Sequence, residues 1–299
     1  MSMKFLKPVT ITTAMLISST RAETDHSAWS NATTYAATNR CISTTTHRIY
    51  ESVQGTNLNH DPTTDDGTWW IDVGPTNRWA MFDQTVGSIT SQATPLTVVL
   101  DPGIISALAL LDVDATSVTV SMLDAPAGAS VYSATYDMTD TAVLLDWYMY
   151  FFEPITPRTS LIVEDLPPYA TGRLTVSMAA ATTAECGTLA VGDLVEVGDT
   201  QYGIKVGIID YSRKETDAYG ITSVTERSYA KRLDCDLVIQ NTALDYITRQ
   251  LAAVRATPVV WIAADGYDSL TIYGWARDWG ISINYPNHSI GNLSIEGLV

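Results

Sequence analysis

The feature that most constrains this chain is an alternation of apolar and polar residues that recurs between residues 96 and 178. Seven strand-length pieces carry it: "LTVVLDPG", "ISALALLDV", "TSVTVSMLD", "ASVYSATYD", "LDWYMYFF", "TSLIVEDL" and "GRLTVSM". Successive side chains of an extended backbone point to opposite faces, so each alternating piece carries one face suited to a core and one suited to solvent. Pro, Gly and Asp break the pieces at short spacing. Many short strands with regular turn signals indicate an antiparallel sandwich.

The strand pattern continues to the C-terminus through "LVEVG", "KVGIIDYS", "SVTERSYAKRLDCDLVI", "VVWIAA", "LTIYGWARDWGISIN" and "GNLSIEGLV". One segment departs from it. Asn241 or Thr242 can cap "ALDYITRQLAAVRA", where Leu244, Ile247, Leu251 and Val254 recur at helical spacing, and Thr257–Pro258 stops the run. Ahead of residue 83 the strand candidates are shorter: Arg40–Ser43, His47–Val53 and Thr68–Gly74, separated by polar loops. The expectation is an all-β fold, a multi-domain β-sandwich with one amphipathic helix in the C-terminal domain. Its parts are an N-terminal segment with a small β domain (1–82), an antiparallel sandwich (83–181) and a sandwich with the helix (182–299).

Composition narrows the function. With 46% apolar and 17% charged residues over 299 positions, the chain can bury a large core. Acidic residues outnumber basic ones by 33 to 17, a formal charge of −16 that disfavours phosphate backbones and anionic lipids. Neither nucleic-acid binding nor membrane insertion is expected, and no run approaches the ~20 apolar residues of a transmembrane helix. Cys41, Cys186 and Cys235 are odd in number and far apart, which reads as reduced, partly buried thiols. The opening "MSMKFLKPVTITTAMLISSTRA" imitates a signal peptide, but five Thr or Ser in its apolar run favour a β-forming segment.

Catalytic motifs are nearly absent: no G-x-S-x-G, H-E-x-x-H, P-loop or G-x-G-x-x-G is present. His26, His47, His60 and His288 are scattered, and solvated loop positions are expected for them. "DPTTDDG" (61–67) lacks the ligand alternation of a calcium loop, so it reads as a turn with solvated carboxylates. Glu153 and Glu164–Asp165 could pair for glycoside hydrolysis, without a second supporting feature. Neither a metal nor a cofactor is expected, and the chain is not expected to be an enzyme.

Aromatic residues offer more. "GTWWIDVGPTNRWAMFD" places Trp69, Trp70 and Trp79 within eleven residues. Neighbouring strand residues face opposite ways, so Trp69 and Trp70 cannot share one core. One should be inward and the other available for contact, while Trp79 and Phe82 should wedge the small domain against the sandwich. Trp275 and Trp279 share one alternating face and are expected in a core. "DYSRKETDAYG" (210–220) reads as either a solvated hairpin or a subunit-contact loop.

The stretch from Ala28 to Gly74, with Trp29, Tyr35, Tyr50, Pro62 and Trp69 or Trp70 in pattern, resembles the chitin-binding type of carbohydrate-binding module (family 5/12). Thr38-Asn39 stands where that family has Gly-Asp. The resemblance implies glycan contact through Trp29, Tyr35, Tyr50, Trp69 and Trp70. Across nearly the whole chain, "KFLKPVTITTAMLISS", "STTTHRIYES", "GPTNRWAMFD", "YGIKVGIIDYSRKETDAYG" and "SIGNLSIEGLV" are similar to minor tail proteins of tailed bacteriophages. That implies a structural virion protein of the tail tip or baseplate, assembled in the host cytoplasm without a signal peptide. Its partners would be other copies of itself in a homo-oligomeric ring, neighbouring tail proteins and a host cell-surface glycan. Residues 182–299 would be a tail-tube-like assembly domain. The alternatives are a glycan-binding receptor-recognition protein and a secreted polysaccharide hydrolase with an accessory module.

Overall fold

Two strands near the N-terminus join different sheets: β1 (Ser2–Pro8), which buries Met3 and Phe5, and β2 (Leu16–Ser19). The computed structural model describes residues 2–140, 147–152, 156–217, 219–220, 222–264 and 267–298. After β2 comes a small module built from β3 (Thr34–Tyr35), β4 (Arg40–Ser43), β5 (Arg48–Ser52), β6 (Asn57–Leu58) and β7 (Trp70–Pro75). β4, β5 and β7 form a three-stranded antiparallel sheet, with β3 and β6 paired separately. So few short strands bury little aliphatic surface, and the module's core is Tyr35, Cys41, Tyr50 and Trp70.

The sandwich follows from the alternation. Its strands are β8 (Thr90–Ala93), β9 (Leu96–Leu100), β10 (Ala107–Asp114), β11 (Ser117–Leu123), β12 (Ser130–Asp137), β13 (Thr139–Asp140), β14 (Thr156–Pro157), β15 (Ser160–Val163), β16 (Arg173–Ala179) and β17 (Thr183–Thr200). One layer runs β12–β11–β16–β9–β2, and the other is β15–β10–β17 with β8 on the first part of β17. Every second residue of β9, β11 and β16 enters the core, among them Val98, Val120 and Val176, to meet Leu108, Leu110, Leu161 and Val191. Each such side chain contributes about 1.5–3 kcal/mol by leaving water.

One strand expectation fails. "LDWYMYFF" is not a strand; Trp147–Phe152 is a single-turn-and-a-half helix, α1, in the connection between β13 and β14. The physical reason is that its apolar residues do not alternate with polar ones, so the segment has no face to give to a sheet and another to give to water.

The remaining strands are β18 (Lys205–Asp210), β19 (Arg213–Thr216), β20 (Thr222–Thr225), β21 (Tyr229–Gln240), β22 (Val259–Ile262), β23 (Thr271–Ser282) and β24 (His288–Gly297). Neighbours run β17–β1–β22–β23–β24–β21, and Asp199 and Thr200 of β17 pair back to Val238 and Leu237 of β21. That last pairing closes a six-stranded barrel. Phe5, Val195, Leu237, Trp261 and Ile295 fill it, and the helix α2 (Leu244–Ala253) contributes Ile247 and Leu251, with Val254 just after it. β17 therefore serves two cores, the sandwich with its first half and the barrel with its second. Gly192 lies at the changeover, where it opposes both Ala107 and Pro8. A Cβ there would stand 1.9 Å from the Lys7 carbonyl oxygen, so no larger residue fits.

Two local expectations are corrected. Asn241 does not cap the helix: its side-chain amide donates to the Tyr285 and Pro286 carbonyls at 2.9 Å each, and a short 3-10 turn (Asn241–Ala243) leads into α2. Trp275 and Trp279 do not share a face, because a bulge between Ala276 and Asp278 shifts the register. Ile272 and Ala276 face the barrel before it and Trp279 and Ile281 after it, leaving Trp275 exposed. No helix among the described residues is long and apolar enough to cross a membrane.

Candidate functional site

The five aromatic residues expected to meet a glycan divide into two groups. Tyr35, Tyr50 and Trp70 are buried, Trp70 to 3% exposure, and form the module's interior. Tyr35 meets Trp70 edge-on at 5.0 Å between centroids, and its hydroxyl oxygen accepts the Ser30 amide at 2.9 Å. Trp70 Nε1–H donates to the His60 carbonyl at 2.9 Å. The Tyr50 hydroxyl lies 3.2 Å from Thr46 Oγ1. These rings hold the module together and present no face to a ligand.

Trp29 and Trp69 are half-buried at the edge of that cluster. Of the adjacent pair, Trp70 points inward and Trp69 lies at the rim. His60 stacks on Trp69, centroids 3.9 Å apart and planes 11° from parallel. The Asp65 carboxylate fixes the backbone beneath: Oδ2 accepts the amides of Gly67, Trp69 and Trp70, each at 3.0 Å. The expectation of solvated carboxylates in "DPTTDDG" thus fails at Asp65. Three amides leave their usual partners where the chain turns into β7, and a half-buried carboxylate gathers them. Asp61 and Asp66 do stay exposed, and the Thr68 hydroxyl and amide hold Asp66 below the usual carboxylate range.

The expectation of solvated histidines fails most clearly at His47. Its ring stacks on Trp79, and its Nδ1 lies 3.0 and 3.1 Å from the two Glu23 carboxylate oxygens. Nε2 lies 2.8 Å from Thr13 Oγ1, and the Thr76 hydroxyl donates to Glu23 at 3.0 Å. In the neutral ring the carboxylate takes the Nδ1 proton, which leaves Nε2 to accept from the Thr13 hydroxyl. Trp79 is at once part of the sandwich core and in edge contact with Phe82 at 5.7 Å. His47 thus ties module, N-terminal segment and sandwich together, beside a cleft of about 290 Å³ that includes Arg48 and Asp83. Sequence spacing holds no signal for this cluster, because Thr13 and Glu23 are 34 and 24 residues from His47.

Elsewhere the candidate chemistry disperses. Glu164 is bound to Lys4 at 2.7 Å, and Glu153 lies outside the described residues. The largest recess, about 360 Å³, is lined by Leu6, Ile11, Phe82, Val260 and other apolar side chains, with Asp83 and Tyr273 its ionisable groups. Burial, with the Asp83 charge nearby, pushes the Tyr273 hydroxyl up to about 12. Among the described residues no three His, Cys, Asp or Glu side chains stand close enough together to hold a metal. Cys41, Cys186 and Cys235 are buried free thiols.

At the other end of the molecule, β18 is the terminal strand of the large sheet and, among the described residues, pairs only with β21. Beyond it β19 and β20 pair with one another as a separate two-stranded ribbon, exposed at every residue. The "DYSRKETDAYG" segment is the first arm of this ribbon and its turn.

No protein-family model matches the chain, and no curated protein sequence does.

Proposed function

We propose that this chain is a structural subunit of the tail tip or baseplate of a tailed bacteriophage, assembling with copies of itself into a ring. The observation that carries the reading is the unpaired edge of β18 together with the exposed β19–β20 ribbon. An open edge is a hazard in a monomer and a ready pairing surface in an assembly. Val206, Ile208 and Val224 point outward from these strands, which is costly unless a partner covers them. The phrase-level similarity to minor tail proteins supports the same reading, as does the scattering of candidate catalytic groups. The test is mass photometry of the purified protein together with protein analysis of purified virions. Assembly into a discrete oligomer and presence in the particle are expected; a strict monomer absent from particles would overturn the proposal.

A second reading, host-surface attachment through a glycan, is favoured by the Trp69–His60 stack at the module rim. A half-exposed indole held by Asp65 can lie against the apolar face of a sugar. Glycan-array binding by the full chain, lost in Trp69→Ala with the fold retained, is expected. Absence of binding by the wild type would leave these rings as packing elements.

A further inference from the structure

The connection between β13 and β14 carries the largest exposed aromatic cluster of the described residues. β13 and β14 pair through Thr139–Pro157 and Asp140–Thr156, and the Arg158 amide donates to the Met138 carbonyl at 2.7 Å at the foot of this stem. Its outer part holds α1, "WYMYFF", which has no charged residue. Trp147 stacks on Phe151 at 6.3 Å and Tyr148 meets Phe152 at 4.9 Å, as residues four apart on a helix do. All four rings remain at least two-thirds exposed, Phe152 to 72%. Exposed apolar clusters of this kind mark contact surfaces.

Charge identifies the partner. Residues 137–157 contain Asp137, Asp140, Asp146 and Glu153 and no Lys or Arg. Residues 205–232, from β18 through the ribbon to β21, hold six of the chain's seventeen basic residues against four acidic ones. The rest of the chain has eleven basic residues against twenty-nine acidic. This basic stretch also displays Ile208 and Val224, each more than 60% exposed, and the nearly bare ring of Tyr219. An acidic aromatic arm and a basic apolar surface thus occur on the same chain.

We propose that the β13–β14 arm of one copy docks on the β18–β20 surface of the next. The proposal rests on the reading of the chain as a ring subunit and gives that ring its contact. Because the two patches differ, the contact is head-to-tail, the type that repeats around a ring until it closes. The apolar rings supply the buried area, while the Asp residues of the arm opposite Arg213 and Lys214 set orientation and partner choice.

The test measures self-association of the full chain by mass photometry and sedimentation at low and high salt, with circular dichroism to check each fold. Variants are Tyr148→Ser with Phe152→Ser, Arg213→Glu with Lys214→Glu, Asp137→Lys with Asp140→Lys, and the two charge reversals combined. The first three are expected to weaken association about tenfold or more, and the combined reversal to restore most of it. High salt is expected to weaken the wild-type assembly. If the wild type assembles and the variants assemble equally well, the docking is overturned while the ring reading stands. A monomeric wild type overturns both. Cross-links between arm and ribbon within one copy would overturn docking in trans. Binding to phosphatidylcholine vesicles that depends on Phe152, with assembly unchanged, would assign the arm to a membrane and overturn the proposal.

Discussion

The imidazole of His47 and the indole of Trp79 lie face to face, their centroids 4.1 Å apart and their planes 18° from parallel. One ring belongs to the module's β4–β5 turn and the other to the sandwich core, so this stack is where the two are fastened. Trp79→Ala is expected to cost about 3–5 kcal/mol, since it opens a cavity in the sandwich and frees the module together. His47→Ala should leave the sandwich intact but loosen the segment around Glu23. Denaturant titration measures the first, and limited proteolysis mapped by mass spectrometry the second. Unchanged cleavage between residues 20 and 30 in His47→Ala would refute the fastening role.

Adjacent tryptophans should behave very differently. Trp70→Ala removes a ring that is 3% exposed and is expected to unfold the module, at about 3–5 kcal/mol. Trp69→Ala removes a ring that is stacked on one face only, and a loss of about 1 kcal/mol is expected. Near-ultraviolet circular dichroism during denaturation resolves the two, and equal effects would contradict the assignment of one to the core and one to the rim.

Thr38 holds a left-handed backbone, φ 69°, in the turn that Asn39 closes by accepting the Ala36 amide at 2.8 Å. A β-branched residue is strained there, whereas glycine is not. Thr38→Gly is expected to stabilise the module by about 0.5–1 kcal/mol, the relief of strain exceeding the added entropy of the unfolded chain. A fall in thermal midpoint would contradict it. The carbohydrate-binding family that the module resembles has glycine at this position.

The thiols predict an alkaline limit. Burial pushes Cys41 up to about 11 and Cys186 and Cys235 up to about 12, against about 9 for a free thiol. Below pH 9 both folded and unfolded thiols keep their protons, and their contribution is fully present. Between about 9 and 12 the unfolded chain releases protons that the folded one retains, so stability falls as pH rises. Thermal melts across this window should decline less steeply in Cys186→Ala than in the wild type. Iodoacetamide should label the three thiols only after denaturation.

Residues in regular strands declared their structure in the sequence. Val98, Val120 and Val176 occupy alternating positions, and the alternation set both the strand and the face it buries. The same logic placed Ile247, Leu251 and Val254 on one side of a helix. It failed at Trp147–Phe152, where no polar residue marked a face, and at Trp275, where the bulge at Ala276–Asp278 reversed the sides. Of the aromatic residues singled out, Trp69 and Trp70 were legible as a split pair because adjacent strand residues diverge. Tyr35 and Tyr50 as core were not, since a ring that packs and a ring that binds look alike in a sequence. His47 was hidden for a different reason: its partners come from three distant segments, and only the closed fold assembles them.

β1 has a temporal consequence as well as a spatial one. Its neighbours in the barrel are β17 and β22, which the ribosome makes roughly two hundred residues later. Until then Met3 and Phe5 have no sheet to enter, while β2 must wait only for β9. The sandwich can therefore gather during translation, and the barrel closes last, around a strand that emerged first.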